Sequence, residues 1–197
     1  MDTEFLEQIK TFLPSYLTPE NKAQLFQELN SFPDNYDYYL SHSVENTLQG
    51  DMWEGFPICD IGKMASKEVS GIILSNSCDI DLSNKSDRQR KVVFCPVISL
   101  EKYQQQLGVK KRAEDVENIV KDIKNQKITY LFYLPAGGSL KEDCIIFLDD
   151  VHSVFLDSFS RRKGKKIFTL GQYGFYLFLL KLSIHFTRFQ EGIERFS

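Results

Sequence analysis

The 197 residues include 24 basic and 27 acidic side chains, giving a net charge of −3, and 42% of them are apolar. That balance suits one globular domain with a full core, or a smaller domain with helical additions. It excludes a protein whose whole surface attracts nucleic acid, while leaving room for a local basic patch.

The opening stretch MDTEFLEQIK is amphipathic and acidic, without the basic and apolar runs of a secretory signal. A cytoplasmic protein with no membrane partner is therefore expected. Residues 1–32 read as two helices. Thr18 is suited to cap the second, Pro19 to open it, and Leu25, Phe26 and Leu29 form one apolar stripe that Pro33 ends. This 1–46 extension serves either as a packing appendage or as a docking surface for a partner chain. Tyr36, Tyr38 and Tyr39 follow in a polar loop, as structural residues or as stacking platforms for bases.

From residue 47 to 197 the pattern is that of one domain. A strand is expected near Met52–Ile58, with Gly55 and Pro57 marking a bulge or an edge. A charged loop over 62–68, a strand over 71–74 and a polar hairpin over 83–90 come next, then a third strand over 91–98. Ser99 is placed to cap a helix that Gly108 closes. Val116, Ile119, Val120 and Ile123 recur at helical spacing in a second one, so 99–126 reads as a helical insertion. ITYLFYLP, CIIFL and the segment 151–156 are further strands, and 171–195 reads as a core helix too interrupted by Lys181, His185 and Arg188 to span a bilayer. Short strands curved by Gly and Pro and joined by hairpins favour an α+β fold with a small antiparallel barrel over a parallel sheet.

Three places carry candidate chemistry. In GIILSNSCDID, residues 71–81, an apolar run stops at Ser75, Asn76, Ser77, Cys78, Asp79 and Asp81, the pattern of a strand delivering polar residues to a rim. Those side chains either bond their own backbone in a tight turn, or supply a thiol nucleophile at Cys78, or hold Mg²⁺ through Asp79, Asp81 and Asp60. Arg161, Arg162, Lys163, Lys165 and Lys166 surround Gly164 between two apolar runs, the grammar of a hairpin tip whose cations project together. Such a tip is either simply solvated or a phosphate contact. His185 reads as a partly buried core histidine. The four cysteines, Cys59, Cys78, Cys95 and Cys144, form no CxxC or CxxH pair, which argues against a zinc site or a disulfide framework, so no metal or other cofactor is expected.

Read in order, GDMW at 50–53, GIILSNS at 71–77, KVVFCPVIS at 91–99 and DCIIFLDDVHSVFLDSF at 143–159 resemble the strands of the MazF/PemK toxin family. The resemblance covers about residues 49–160. It implies an SH3-like barrel and an RNA- or nucleic-acid-directed role in a toxin-antitoxin or phage-defence system, as an endoribonuclease or as an inactive barrel serving as an interaction subunit or homodimer. The family's Arg-Pro before the second strand is replaced by Val69 and Ser70, and His152 stands where the family tends to carry Arg. The residues expected to carry catalysis are Cys78, Asp79, Ser99 and His152, meeting on a common lip. Ser75, Asn76 and the cations of 161–166 are expected to hold the nucleic acid.

Overall fold

Strand β3, Lys91–Ser99, organises the sheet because both of its edges are paired. One edge receives β2, Ala65–Ile73, with Ile73 opposite Phe94. The other receives β5, Cys144–Phe147, and β6, His152–Phe155, as one interrupted partner. Phe94 faces His152 and Val97 faces Ile146, so three steps along β3 oppose six along the partner and three extra residues loop out between them. Such an excess bends the sheet and lets a strand change what it packs against.

These elements belong to a computed structural model that describes residues 38–42, 44–60, 62, 65–162 and 164–187. Strand β1, Met52–Asp60, pairs with β2 and with β7, Lys166–Phe168, while β4, Leu131–Leu134, pairs with β5. The result is a seven-stranded antiparallel sheet in the order β4-β5-β3-β2-β1-β7, with β6 on β3. The mixed α+β, antiparallel expectation holds. No ladder joins β4 to β7 among the described residues, so the sheet is not a closed barrel. The expected N-terminal helices lie outside the described residues, as do Tyr36 and the last part of the expected C-terminal helix.

The helices are α1, Ser77–Ile80; α2, Leu100–Gly108; α3, Ala113–Lys124; α4, Leu156–Arg161; and α5, Gln172–Thr187. Alternation along the strands assigns each side chain to a face. Ile72, Cys95, Phe132, Leu134 and Ile146 pack with Leu177 and Phe178 of α5, whereas Leu131, Tyr133 and Ile145 pack with Leu100 and Ile123 of the helical insertion. Strand β4 is buried on both faces, which is why LFYL reads as a continuous apolar run. A third cluster, Phe56, Ile73, Ile80, Val92, Phe94 and Leu156, closes the other half of the sheet.

Two glycines are required by geometry. Gly55 has φ +89° inside the bulge of β1, in the left-handed region that favours glycine. A Cβ on Gly174 would lie 2.6 Å from the Tyr38 carbonyl oxygen, so its absence lets α5 approach the backbone beside the Tyr38–Tyr39 aromatic pair. Both tyrosines are buried in the same core as α5, in agreement with their reading as structural residues and against the alternative of stacking platforms for bases.

Four local expectations change. Strand β2 begins at Ala65, inside the segment expected to be a charged loop. Residues 77–80, expected as a tight turn at a strand end, form a single turn of helix. Ser99 occupies the N-cap position of α2 without a side-chain capping bond, because its hydroxyl donates to Glu142 Oε2 at 2.7 Å. The runs flanking 161–166 do not form a hairpin, since α4 intervenes and β6 and β7 pair with different strands.

Candidate nucleic-acid interface

The end of β2 sets the site. The Ser75 hydroxyl accepts from Val93 N–H at 2.7 Å, taking the place of a strand neighbour as the chain leaves the sheet. Asn76 then caps α1, its Oδ1 accepting from Cys78 N–H at 2.9 Å. Ser77 Oγ accepts from Gln49 N–H at 2.9 Å, and Asp81 Oδ1 accepts from Ser83 N–H at 2.8 Å. Bonds from Ser83, first its backbone amide and then its hydroxyl, hold the Asp81 carboxyl below the usual carboxylate range. Most of the polar side chains in SNSCDID thus satisfy nearby backbone, as the turn reading expects.

The expected common lip does not form. Ser99 is paired with Cys144 at one end of β3, whereas His152 faces Phe94 five residues away, about 17 Å at roughly 3.3 Å per residue. The His152 ring stacks on Phe94 at 5.6 Å, and its Nε2 lies 2.8 Å from Asp150 Oδ1. Cys78 is exposed and lines a cavity of about 270 Å³ with Glu45, Asn46, Asp81 and Leu82, which no histidine joins. Among the described residues no group of His, Cys, Asp and Glu could hold a metal ion. The side chain of Asp60 is not among those described. Burial pushes the two core thiols up, Cys95 to about 12 and Cys144 to about 11, leaving both protonated at neutral pH.

The cations of 161–166 also part company. Arg161 Nε donates to the Asp157 carbonyl at 3.1 Å, and Arg162 Nη1 lies 3.1 Å from Glu68 Oε1. Lys165 is exposed, and Lys163 is not among the described residues. Lys166 turns inward: its ammonium lies 2.7 Å from Asp51 Oδ2, donates to the carbonyls of Val44 and Asn46, and sits 5.5 Å from the Trp53 ring. The expectation that these side chains project together is therefore corrected at Lys166, which belongs to the scaffold.

A different set of cations does converge. Arg88, Arg90 and Lys91 line a cavity of about 520 Å³ together with Ser75 and Asp79, with Val151 and Phe186 on its apolar rim. Arg90 Nη1 donates to the Asp81 carbonyl at 2.6 Å, fixing the end of α1 against the start of β3. Arg88 Nη2 lies 3.8 Å from Asp79 Oδ1, and Lys91 Nζ is 5.2 Å from the centre of the Phe155 ring. Both contacts leave most of the cations' hydrogen-bonding capacity open to solvent. Of the expected site residues, Ser75 and Asp79 meet here. Cys78 lines the other cavity, and Ser99 and His152 line neither.

Sequence reasoning missed RQRK, residues 88–91, treating Arg88 to Arg90 as the end of a polar hairpin and Lys91 as the start of a strand. A signal was present: three cations in four residues at the junction with β3, whose first residue is Lys91. Because β2 and β3 are antiparallel with Ile73 opposite Phe94, the start of β3 must lie beside the end of β2, which brings those cations to the SNSCDID turn. No protein-family model matches the chain, and no curated protein matches it. The MazF/PemK resemblance therefore rests on the four strand motifs and their order.

Proposed function

We propose that the chain is an RNA-directed protein that grips phosphates at the Arg88–Arg90–Lys91 cavity, on a scaffold related to the SH3-like barrels of MazF/PemK toxins and working in a toxin-antitoxin or phage-defence setting. The observation that carries this reading is the convergence of three cations and the Ser75 hydroxyl on one concavity of an otherwise acidic protein. Arginine suits the task because its planar fork of N–H donors matches phosphate oxygens. The apolar rim at Val151 and Phe186 offers a surface for a base beside its phosphate. The relation to those barrels draws support from the bend in the β5–β6 partner of β3 and from the motif order, with the sheet itself open between β4 and β7. Binding is the form of the activity that these contacts support directly.

The test is a titration of a fluorescent single-stranded RNA of about 12 nucleotides at about 50 mM salt. Arg88→Ala and Lys91→Ala should each weaken binding by about three- to tenfold, the cost of one exposed charged phosphate contact. Lys165→Ala should change it by less than about twofold. Intact RNA on a gel after prolonged incubation with the wild type is also expected. Equal losses at residues 88 and 165, or cleavage that survives Arg88→Ala, would contradict the assignment.

A further inference from the structure

We propose that Asp79 is a resident anion that competes with phosphate for Arg88, so that it sets how tightly the cavity holds its ligand rather than taking part in chemistry. The inference rests on the phosphate-binding reading of the same cavity and adds a residue that opposes it.

Asp79 sits in the one turn of α1 and, among the described residues, supplies the sole carboxylate of the cavity wall, against the three cations Arg88, Arg90 and Lys91. Its backbone is tied down: its N–H donates to the Asn76 carbonyl at 3.0 Å, and its own carbonyl accepts from Arg90. Its side chain has a single described partner, Arg88 Nη2, at 3.8 Å. The pair is loose, with the two side chains 64% and 75% exposed, so water competes for it and it opens readily. A phosphate entering the cavity offers Arg88 two oxygens in place of one distant carboxylate oxygen, a shorter and better-aligned contact. In the free protein Asp79 lies 3.8 Å from Arg88 on the cavity wall, and a phosphate that takes Arg88 displaces that carboxylate. A carboxylate in this position also selects against ligands that carry negative charge without the geometry to displace it.

Competition and plain repulsion give different patterns when Asp79→Asn and Arg88→Ala are combined. If Asp79 acts by occupying Arg88, Asp79→Asn should tighten binding of the fluorescent RNA by about three- to tenfold in the wild-type background and by less than about twofold in Arg88→Ala. The same factor in both backgrounds would mean that Asp79 repels phosphate through the general field, and would overturn the proposal. So would an unchanged affinity in the single variant. Because the Asp79 side chain makes no described contact other than Arg88, Asp79→Asn should keep the wild-type thermal midpoint, which separates a binding effect from an unfolding one. If neither the wild type nor Asp79→Asn binds RNA at low salt, the phosphate-binding reading itself falls and this proposal falls with it. Binding that is tight and insensitive to Asp79 removes the proposal alone.

Discussion

Lys166→Met is expected to lower the stability of the protein by about 3–5 kcal/mol, the usual cost of stripping one partner from a buried ion pair. Asp51 is 0% exposed, and Lys166 Nζ is its only described cationic partner, at 2.7 Å. The carboxylate is already short of bonds: Oδ2 also accepts from Leu48 N–H at 2.8 Å, while Oδ1 has no partner among the described residues. Removing the ammonium would leave a buried charge with one amide donor and would free the carbonyls of Val44 and Asn46 as well. The double variant Asp51→Asn, Lys166→Met should recover part of the loss, because the stranded charge is gone. Urea unfolding of the three proteins at one pH reads this directly. A loss below about 1 kcal/mol in the single variant would place the pair among solvent-compensated surface contacts. The consequence for function is practical: weak RNA binding by a Lys166 variant would report unfolding, not a lost phosphate contact.

The second large effect is the contribution of Lys181 to stability between pH 7 and 10. Lys181 is 1% exposed on α5, and among the described residues its ammonium has only the carbonyls of Gln126 and Ile128 as partners, at 2.9 and 2.6 Å. Desolvation lowers its pKa from the ordinary 10.5 to about 7. Between these values the unfolded chain binds a proton that the folded chain has released, so stability increases with pH across that window. At about 1.4 kcal/mol per pH unit this group alone contributes a rise of about 3–4 kcal/mol from pH 7 to 10. Below pH 7 the folded state must carry the buried charge, and the contribution levels off. In denaturant titrations, the change in stability from pH 7 to pH 10 should be about 3–4 kcal/mol more favourable in the wild type than in Lys181→Met, the loss above pH 9 from the buried thiols Cys95 and Cys144 being common to both. The same slope in both proteins would assign the effect to other groups. The contacts also give Lys181 a structural role, holding the turn after α3 to the core. Gln126 in that turn has φ +57° and bonds both the N–H and the carbonyl of Tyr133.

Much of this architecture is legible from local pattern. The stops at Ser75 and Ser99, the bulge at Gly55, the helical spacing of Val116 to Ile123 and the apolar α5 all follow from turn residues and periodicity, which act over a few residues. What was not legible depends on pairing between distant segments. Lys166 reads as one more cation in a basic run until β7 pairs with β1 and brings it to Asp51. Ser99 and His152 read as neighbours until the register of β3 separates them. Arg88 reads as a hairpin cation and Lys91 as the first residue of a strand until β2 and β3 pair and bring both beside Ser75. In each case charge and polarity were visible in the sequence, and only the sheet decided which way they faced.

The salt dependence of RNA binding tests the central claim most directly. For single-stranded nucleic acid, log affinity falls against log salt with a slope of about −0.7 for each phosphate neutralised. If phosphates dock at the cavity, Arg88→Ala and Lys91→Ala should each make that slope shallower by about 0.7, and Lys165→Ala should leave it unchanged. A slope that stays fixed when Arg88 and Lys91 are removed, yet flattens with Lys165→Ala, would place the nucleic acid on the 161–166 segment and contradict the assignment.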